Sequence, residues 1–384
     1  MLKLVNNTIS NHEIDWLRDW LGTYPRLTMG ELTKEFEESF SEWLGVKHSL
    51  FVNSGSSANM LMLYTMMYKY GIDKIAVPAL SWSTDLAPMI QFGIEPVLID
   101  CNLENLSLDL DHLEEELEND DGIGAVLVVH VLGLVPDVLK LQRICEKHDV
   151  FLLEDTCEAM GSKRGRIKLG TLGLMSTFSF YFGHHISTVE GGMICTDDSE
   201  LYDLLLMLRS HGWARDLSDE KKKRFRELWG IDEFNELYTF YVPGFNVRPT
   251  EMQAFLGQLQ LEKIDDITRK RADNFELYMD LLKDSGLWLP EQAWFDTVSN
   301  FAFPVISGDR EWKVKRLQDN GVEVRPLIAG SMANQPFYKT EYLSKFLPCA
   351  SKVDKQGFYV PNHHELTVSD IKTVCRLLTT YGGF

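Results

Sequence analysis

Leu32, Phe36, Phe40 and Leu44 recur every four residues and the run stops at Gly45, the spacing of an amphipathic helix that buries one stripe. From there the pattern alternates. Short runs rich in β-branched residues at 75–77, 96–99, 125–129 and 150–153 are separated by helical stretches at 58–70, 110–117 and 137–147. Repeated βαβ units have this pattern, and they require parallel strands with helices covering the sheet. Two more strand-like runs, 177–181 and 192–196, follow without a full helix between them. Beyond about residue 250 the rhythm changes to long helices at 251–264 and 269–285, a β-rich stretch, and a last helix near 368–378. The predicted fold class is α/β, with a mostly parallel central sheet and a smaller α+β part after it. The predicted division is an N-terminal segment 1–24, a large α/β domain 25–250 and a small C-terminal α+β domain 251–384. No repeat, low-complexity tract or polar linker interrupts the chain, so the parts are expected to pack closely.

The 384 residues and the 45% hydrophobic, 25% charged balance are those of a globular protein with ample length for a large core. Charge narrows the range of partners. A net charge of −19 repels phosphate backbones and anionic lipid from most of the surface, which disfavours nucleic-acid and membrane-surface binding but not a local pocket for an anionic metabolite. The longest apolar stretch, 123–135, is broken by Gly124, His130 and Gly133 and is shorter than the ~20 residues of a membrane span. Residues 1–16 carry Asn, His, Glu and Asp where a signal peptide needs an apolar core, so a cytoplasmic location is expected. The six cysteines, Cys101, Cys145, Cys157, Cys195, Cys349 and Cys375, form no C-x-x-C motif. They suggest scattered reduced thiols, with no metal site.

Candidate chemistry sits at the ends of the predicted strands. Asn53-Ser54-Gly55-Ser56-Ser57-Ala58-Asn59 lies between a strand at 49–52 and a helix, where free N–H groups, hydroxyls and a positive dipole end suit a phosphate. A plain N-cap and tight turn explain the same residues, and the P-loop ending is absent. Glu154-Asp155-Thr156-Cys157-Glu158 follows an apolar strand, and the carboxyl ends of strands in an open α/β sheet face the ligand crevice. Asp155 and Glu158 are therefore site candidates, with helix capping the alternative for Asp155. Trp82 follows the strand at 75–77, placed either for the core or for stacking on a flat ring. In the stretch 178–192, two adjacent histidines, His184 and His185, precede Glu190-Gly191-Gly192. One of them is expected to face the crevice as an acid or base. Neighbours on an extended strand point to opposite faces, which argues against a shared metal.

Together, Gly22, 53–59, 78–82, 154–161, 178–192, 210–212, 246–263 and Arg325-Pro326 resemble the sugar-nucleotide aminotransferase family over nearly the whole chain. The resemblance implies an aspartate aminotransferase-like fold, type I of the pyridoxal-phosphate enzymes. It implies that Ser56, Ser57 and Ser179 bind the cofactor phosphate, that Trp82 stacks on the pyridine ring, and that Asp155 pairs with the ring nitrogen. Glu158 stands where the family usually has Gln beside the ring hydroxyl. Asn246, in Gly244-Phe245-Asn246-Val247-Arg248, would reach the phosphate from the partner subunit of a homodimer.

One departure from the family redirects the function. Aligned on Glu190-Gly191-Gly192, His184 occupies the position of the lysine that forms the family's Schiff base, and no lysine occurs between Lys168 and Lys221. The Gly-His-His-x-Ser-Thr-x-Glu-Gly-Gly form, with Ala329-Gly330 and Gln335-Pro336 further on, resembles the C3 dehydratases of nucleotide 4-keto-6-deoxy sugars. Without clustered cysteines the cluster-free kind is favoured over the iron–sulfur kind. The implied activity is removal of the C3 hydroxyl from such a sugar, GDP-4-keto-6-deoxymannose being the favoured substrate. L-glutamate would convert pyridoxal 5'-phosphate to pyridoxamine 5'-phosphate, His184 would be the catalytic base, and ammonia would be released. Two alternatives stay open at this point: an aminotransferase with a relocated lysine, and a non-catalytic binding protein of the same fold.

Overall fold

The structure, a computed structural model, describes residues 1–291, 296–341 and 347–379. The stripe at Leu32–Leu44 forms the expected helix, Glu31–Leu44, which ends on Gly45 with φ +95°, a left-handed position that glycine takes without a Cβ clash. Phe36 and Phe40 are fully buried and meet Phe51, Phe178 and Phe180 with ring centroids 4.9–5.5 Å apart. Helix Glu251–Leu261 crosses the same stripe at Gly257, where a Cβ would lie 2.7 Å from the Phe36 ring.

The strands in chain order are β1 (His48–Val52), β2 (Lys74–Pro78), β3 (Glu95–Ile99), β4 (Ala125–Val129), β5 (Phe151–Asp155), the short hairpin β6 (Lys163–Arg164) and β7 (Ile167–Lys168), β8 (Met175–Ser179), β9 (Gly192–Thr196), β10 (Ala302–Ile306), β11 (Arg325–Pro326) and β12 (Gly357–Pro361). Seven of them form one sheet in the order β1-β9-β8-β5-β4-β2-β3. The pairs among β8, β5, β4, β2 and β3 are parallel, and β9 alone runs antiparallel to both its neighbours. β4 and β8 are buried along their whole length, as strands covered on both faces must be. The ends of β2, β4, β5 and β8 therefore open on one edge, with helices Gly55–Tyr70 and Ser83–Phe92 starting there.

A second sheet, β10-β12-β11, is wholly antiparallel and packs with helices Ile264–Leu282, Arg310–Asp319 and Val368–Thr379, with Tyr278 stacked on Phe303 at 4.5 Å. The long helix begins at Ile264 rather than 269, and the preceding one ends at Leu261. At this break Gln260 Nε2 and Lys263 Nζ both donate to the Glu13 carboxylate, at 2.7 and 2.8 Å, which ties it to helix Asn11–Leu21. The first residues lie along the second sheet's edge through Leu2 N to Gly321 O and Glu323 N to Leu2 O. Among the described residues no helix is long and apolar enough to cross a membrane.

The expected strand 177–181 ends at Ser179, and His184 and His185 lie in an irregular turn rather than on a strand. Strand alternation therefore does not separate the two side chains. The reason is closure of the segment on itself, with Phe180 N bonded to Gly191 O, Thr188 N to Phe180 O and His184 N to Tyr181 O. The loop returns to β9 at Gly192, where a Cβ would lie 2.4 Å from the Ser54 backbone.

One buried ion pair fastens this frame. Arg209 Nη1 donates to Glu37 Oε1 and to Phe51 O, while Phe51 N donates to the same Glu37 oxygen at 2.7 Å, joining helix Glu31–Leu44, β1 and helix Ser199–Arg209. Burial pushes the Glu37 carboxyl above its usual range despite the guanidinium beside it. A half-broken buried pair leaves a charge without compensation. Glu37→Leu is expected to cost ~3–5 kcal/mol in chemical denaturation, and Glu37→Leu with Arg209→Met to recover most of it. Equal losses in the single and double variants would show that the pair does not carry the effect.

Candidate active site

A cavity of about 810 Å³ opens at the carboxyl ends of β2, β5 and β8. Its floor is the start of helix Gly55–Tyr70. Ser54 caps that helix, its Oγ accepting from Ser57 N at 3.0 Å, so the N–H groups of the first turn point into the hollow. Gly55 permits the approach of β8, because a Cβ there would lie 2.6 Å from Ser179 Cβ. Ser56 and Ser179 line the cavity, while Ser57 stands behind them and its hydroxyl accepts from Ser54 Oγ. The plain capping reading holds for Ser54, and it leaves the hydroxyl and amide of Ser56 facing the cavity.

Trp82 precedes helix Ser83–Phe92 and is 52% exposed although it lines the cavity, as a stacking surface for a flat ring would be. Asp155, the last residue of β5, accepts from Cys157 N with Oδ1 at 2.8 Å and from Asn59 Nδ2 with Oδ2 at 2.6 Å. It caps a turn, since no helix begins after β5. Glu158 Oε2 accepts from Leu132 N at 3.0 Å. Burial, with a smaller contribution from the Asp155 charge, pushes Glu158 up to about 8, so at neutral pH it is a hydrogen-bond donor.

His184 lines the same cavity, and its Nδ1 is buried without a partner. Burial, with Arg271 adding to it and Asp155 opposing, brings the imidazole down to about 4 and keeps it neutral. His185 is fully buried and points elsewhere, its ring bonded to Ser299 O at 2.9 Å. Asn246 does not line this cavity. It pairs with Ser210 and accepts from Arg248 Nε at 3.1 Å, and Arg248 lines a second hollow of about 670 Å³ with Arg26, Lys47 and Trp213.

Sequence reasoning missed Asn59, which donates to both Asp155 and Asp85, as well as Asp85, Tyr359 and the first residues of the chain, Lys3 to Asn7, on the cavity wall. Asp85 had a signal, since a carboxylate three residues after a helix N-cap is half of a capping box. Nothing local marks the N-terminal segment, which is held at the site by the pairing of Leu2 with Val322 and by Leu4 N donating to Glu323 at 3.2 Å.

These residues fit pyridoxal phosphate. The helix N-terminus with Ser56 and Ser179 suits its phosphate, the half-exposed indole its ring and the Asp155 carboxylate its ring nitrogen, and the His184 imidazole lines the same hollow. Comparison with known proteins agrees. Residues 8–379 match the model of the DegT/DnrJ/EryC1/StrS aminotransferase family. GDP-4-keto-6-deoxy-D-mannose 3-dehydratase from Yersinia pseudotuberculosis is 36% identical over 379 residues, 91% of either chain. A solved mutant of GDP-4-keto-6-deoxymannose-3-dehydratase with bound GDP-perosamine superposes with a TM-score of 0.89 at 33% identity, covering 98% of this chain and 100% of that one. The same dehydratase solved with a trapped PLP-glutamate geminal diamine matches equally well, at a TM-score of 0.89 and 33% identity over the same shares of the two chains. With its fold of pyridoxal-phosphate type I, this chain belongs to the DegT/DnrJ/EryC1/StrS aminotransferase family.

Proposed function

We propose that this protein is the C3 dehydratase of a nucleotide 4-keto-6-deoxy sugar, GDP-4-keto-6-deoxymannose being the substrate and L-glutamate the amino donor. The observation that carries the reading is His184, a neutral imidazole lining the cofactor cavity at the position where the aminotransferases hold their lysine. Bound pyridoxal phosphate supplies an aldehyde that takes the amino group of glutamate, and a protonated ring that withdraws electrons from the carbon attached to it. The protein's residues do the rest. Ser56 and Ser179 hold the phosphate, with Ser57 behind them instead of in contact with it as the resemblance implies, Trp82 covers the ring, and Asp155 keeps the proton on the ring nitrogen. Glu158 donates to the ring oxygen. The His184 imidazole takes the proton from the carbon next to the ring and gives it to the C3 oxygen as that leaves. In net terms the keto sugar and glutamate become a 3,6-dideoxy-4-keto sugar, 2-oxoglutarate and ammonia.

The active unit we propose is a homodimer in which Asn246 serves the partner's phosphate site, because in its own chain it lies away from the cavity. A cytoplasmic setting suits the six free thiols.

Dehydration of GDP-4-keto-6-deoxymannose with glutamate tests the function. His184→Asn should lose about 10²–10⁴-fold in rate with cofactor binding unchanged, while His185→Asn should lower stability and leave the rate near that of the parent. A parent rate in His184→Asn would remove the assigned base, and a 4-amino sugar as product would mark an aminotransferase. The pH profile of kcat/KM tests Glu158. Deprotonation above about 8 removes a donor and adds a negative charge next to Asp155, so the rate should fall on the alkaline side, and Glu158→Gln should flatten that limb. An unchanged alkaline limb would put its cause elsewhere. The shared site can be checked by mixing subunits. An Asn246→Ala chain paired with a His184→Asn chain rebuilds one complete site per dimer and should recover activity that neither variant has alone; no recovery would show that Asn246 does not act across the interface.

A further inference from the structure

Asp85 is fully buried, lines the cofactor cavity and has no role in the mechanism above. Its carboxyl stands at the third position of helix Ser83–Phe92 and accepts from Trp82 N with Oδ2 at 3.0 Å. That bond holds the backbone of Trp82 at φ −105° and ψ 157° and so sets the direction in which the indole leaves the chain. Oδ1 of the same carboxyl accepts from Asn59 Nδ2 at 3.0 Å. The same Nδ2 donates to Asp155 Oδ2 at 2.6 Å. Thr177 Oγ1 bonds Asn59 Oδ1 at 2.5 Å, which leaves the amide's N–H side to the two carboxyls.

Three other aspartates that cap helices, Asp109, Asp137 and Asp198, are partly exposed and serve only their own helix starts. Asp85 alone among these four is buried against a second carboxylate. A cap requires neither the burial nor the link to Asn59.

We propose that Asp85 is a positioning residue for the cofactor, its one carboxyl bracing both the residue that stacks on the ring and the residue that faces the ring nitrogen. The inference rests on the proposed pyridoxal-phosphate roles of Trp82 and Asp155. It also specifies the form of the group. Burial first, and then the charge and hydrogen bond of Asp155, hold Asp85 well above the usual carboxylate range. In its neutral form the carboxyl gives Asp155 an O–H and leaves the charge opposite the pyridinium to its partner.

The test is binding of pyridoxal phosphate to the full chain, followed by quenching of tryptophan fluorescence and by the circular dichroism induced in the cofactor. Thermal melting of the cofactor-free protein is measured beside it. Asp85→Asn keeps an acceptor for Trp82 and puts an N–H where the acid has its O–H, so it should bind within about threefold of the parent with the same induced band. Asp85→Val should bind about tenfold more weakly with a reduced band, roughly the effect of one lost buried hydrogen bond. If Asp85→Val does not fold, Asn59→Ala cuts the same brace from the other helix and should reproduce the weak binding and reduced band. Parent binding and band in Asp85→Val or Asn59→Ala, with only the melting point lowered, would reduce Asp85 to a helix cap and overturn the proposal. So would binding by Asp85→Asn as weak as by Asp85→Val, because the charge would then be what matters. A parent protein with no induced band would instead refute the pyridoxal-phosphate reading on which the inference stands.

Discussion

The geometry of the site depends on one buried carboxylate that takes no part in the chemistry. Glu154, fully buried near the end of β5, accepts from Leu172 N and Gly173 N with Oε1 at 2.6 and 2.8 Å, and from Gly170 N and the His130 ring with Oε2 at 2.8 and 2.9 Å. A carboxylate taken from water without donors would be prohibitively costly. Here four donors from two other segments converge on it, and the chain at 170–173 folds under the strand end as a result. Gly173 permits this, because a Cβ there would be 2.5 Å from Leu152 O. Successive side chains of a strand point to opposite faces, so fixing Glu154 on one face fixes Asp155 on the other, toward Asn59 and the cavity. The position of the carboxylate assigned to the ring nitrogen is thus set by a neighbour facing away from it.

That dependence shows what was legible in the chain. The alternating strands and helices, the helix at 31–44 and the final helix could be read because burial imposes a period, and a period is local. The candidate residues at strand ends could be read for a similar reason, since an α/β sheet opens at those ends whatever its sequence. The turn at 181–190 could not be read from periodicity. Its shape comes from Phe180 meeting Gly191 and from Gly192 closing on Ser54, contacts between residues far apart in pattern or sequence. His184 faces the cavity and His185 does not, yet the separation comes from a turn and from the Ser299 carbonyl rather than from strand alternation. Asn59 was quoted within the small-residue loop, but its part lies in three partners contributed by other elements, and no spacing rule connects them.

The absence of a lysine at position 184 also changes what the surroundings must do. A lysine nucleophile needs a lowered pKa, whereas a histidine that serves as base needs only to be neutral and kept from pairing with the nearby carboxylates. Arg271 supplies part of this. It is fully buried, and its guanidinium donates to the carbonyls of Phe301 at 3.2 Å, Asn300 at 3.4 Å and Asn362 at 2.5 Å, with Nη2 reaching the carbonyl of His184 itself at 3.3 Å. Burial alone brings Arg271 down to about 9, which leaves it charged at neutral pH. Among the described residues no carboxylate forms an ion pair with it, so nothing there cancels its field at close range. That field, together with burial, lowers His184, His185, His363 and His364 alike.

One positive charge thus does two jobs through different bonds. By its hydrogen bond to the His184 carbonyl it pins the backbone of the turn, and by its field it opposes protonation of the imidazole that the turn presents. Asp155 pulls the other way, since a carboxylate within range of His184 favours the protonated ring. Burial outweighs that pull, Arg271 adds to burial, and His184 is left neutral, while Asp155 is in place to stabilise an imidazolium if His184 takes up a proton as proposed. A base that must accept a proton and then give it to a leaving hydroxyl needs both halves of that arrangement. The residue that replaces the lysine is therefore one member of a charge pattern reaching from the strand end of β5 to the helix Ile264–Leu282, and that pattern lies outside any motif around position 184.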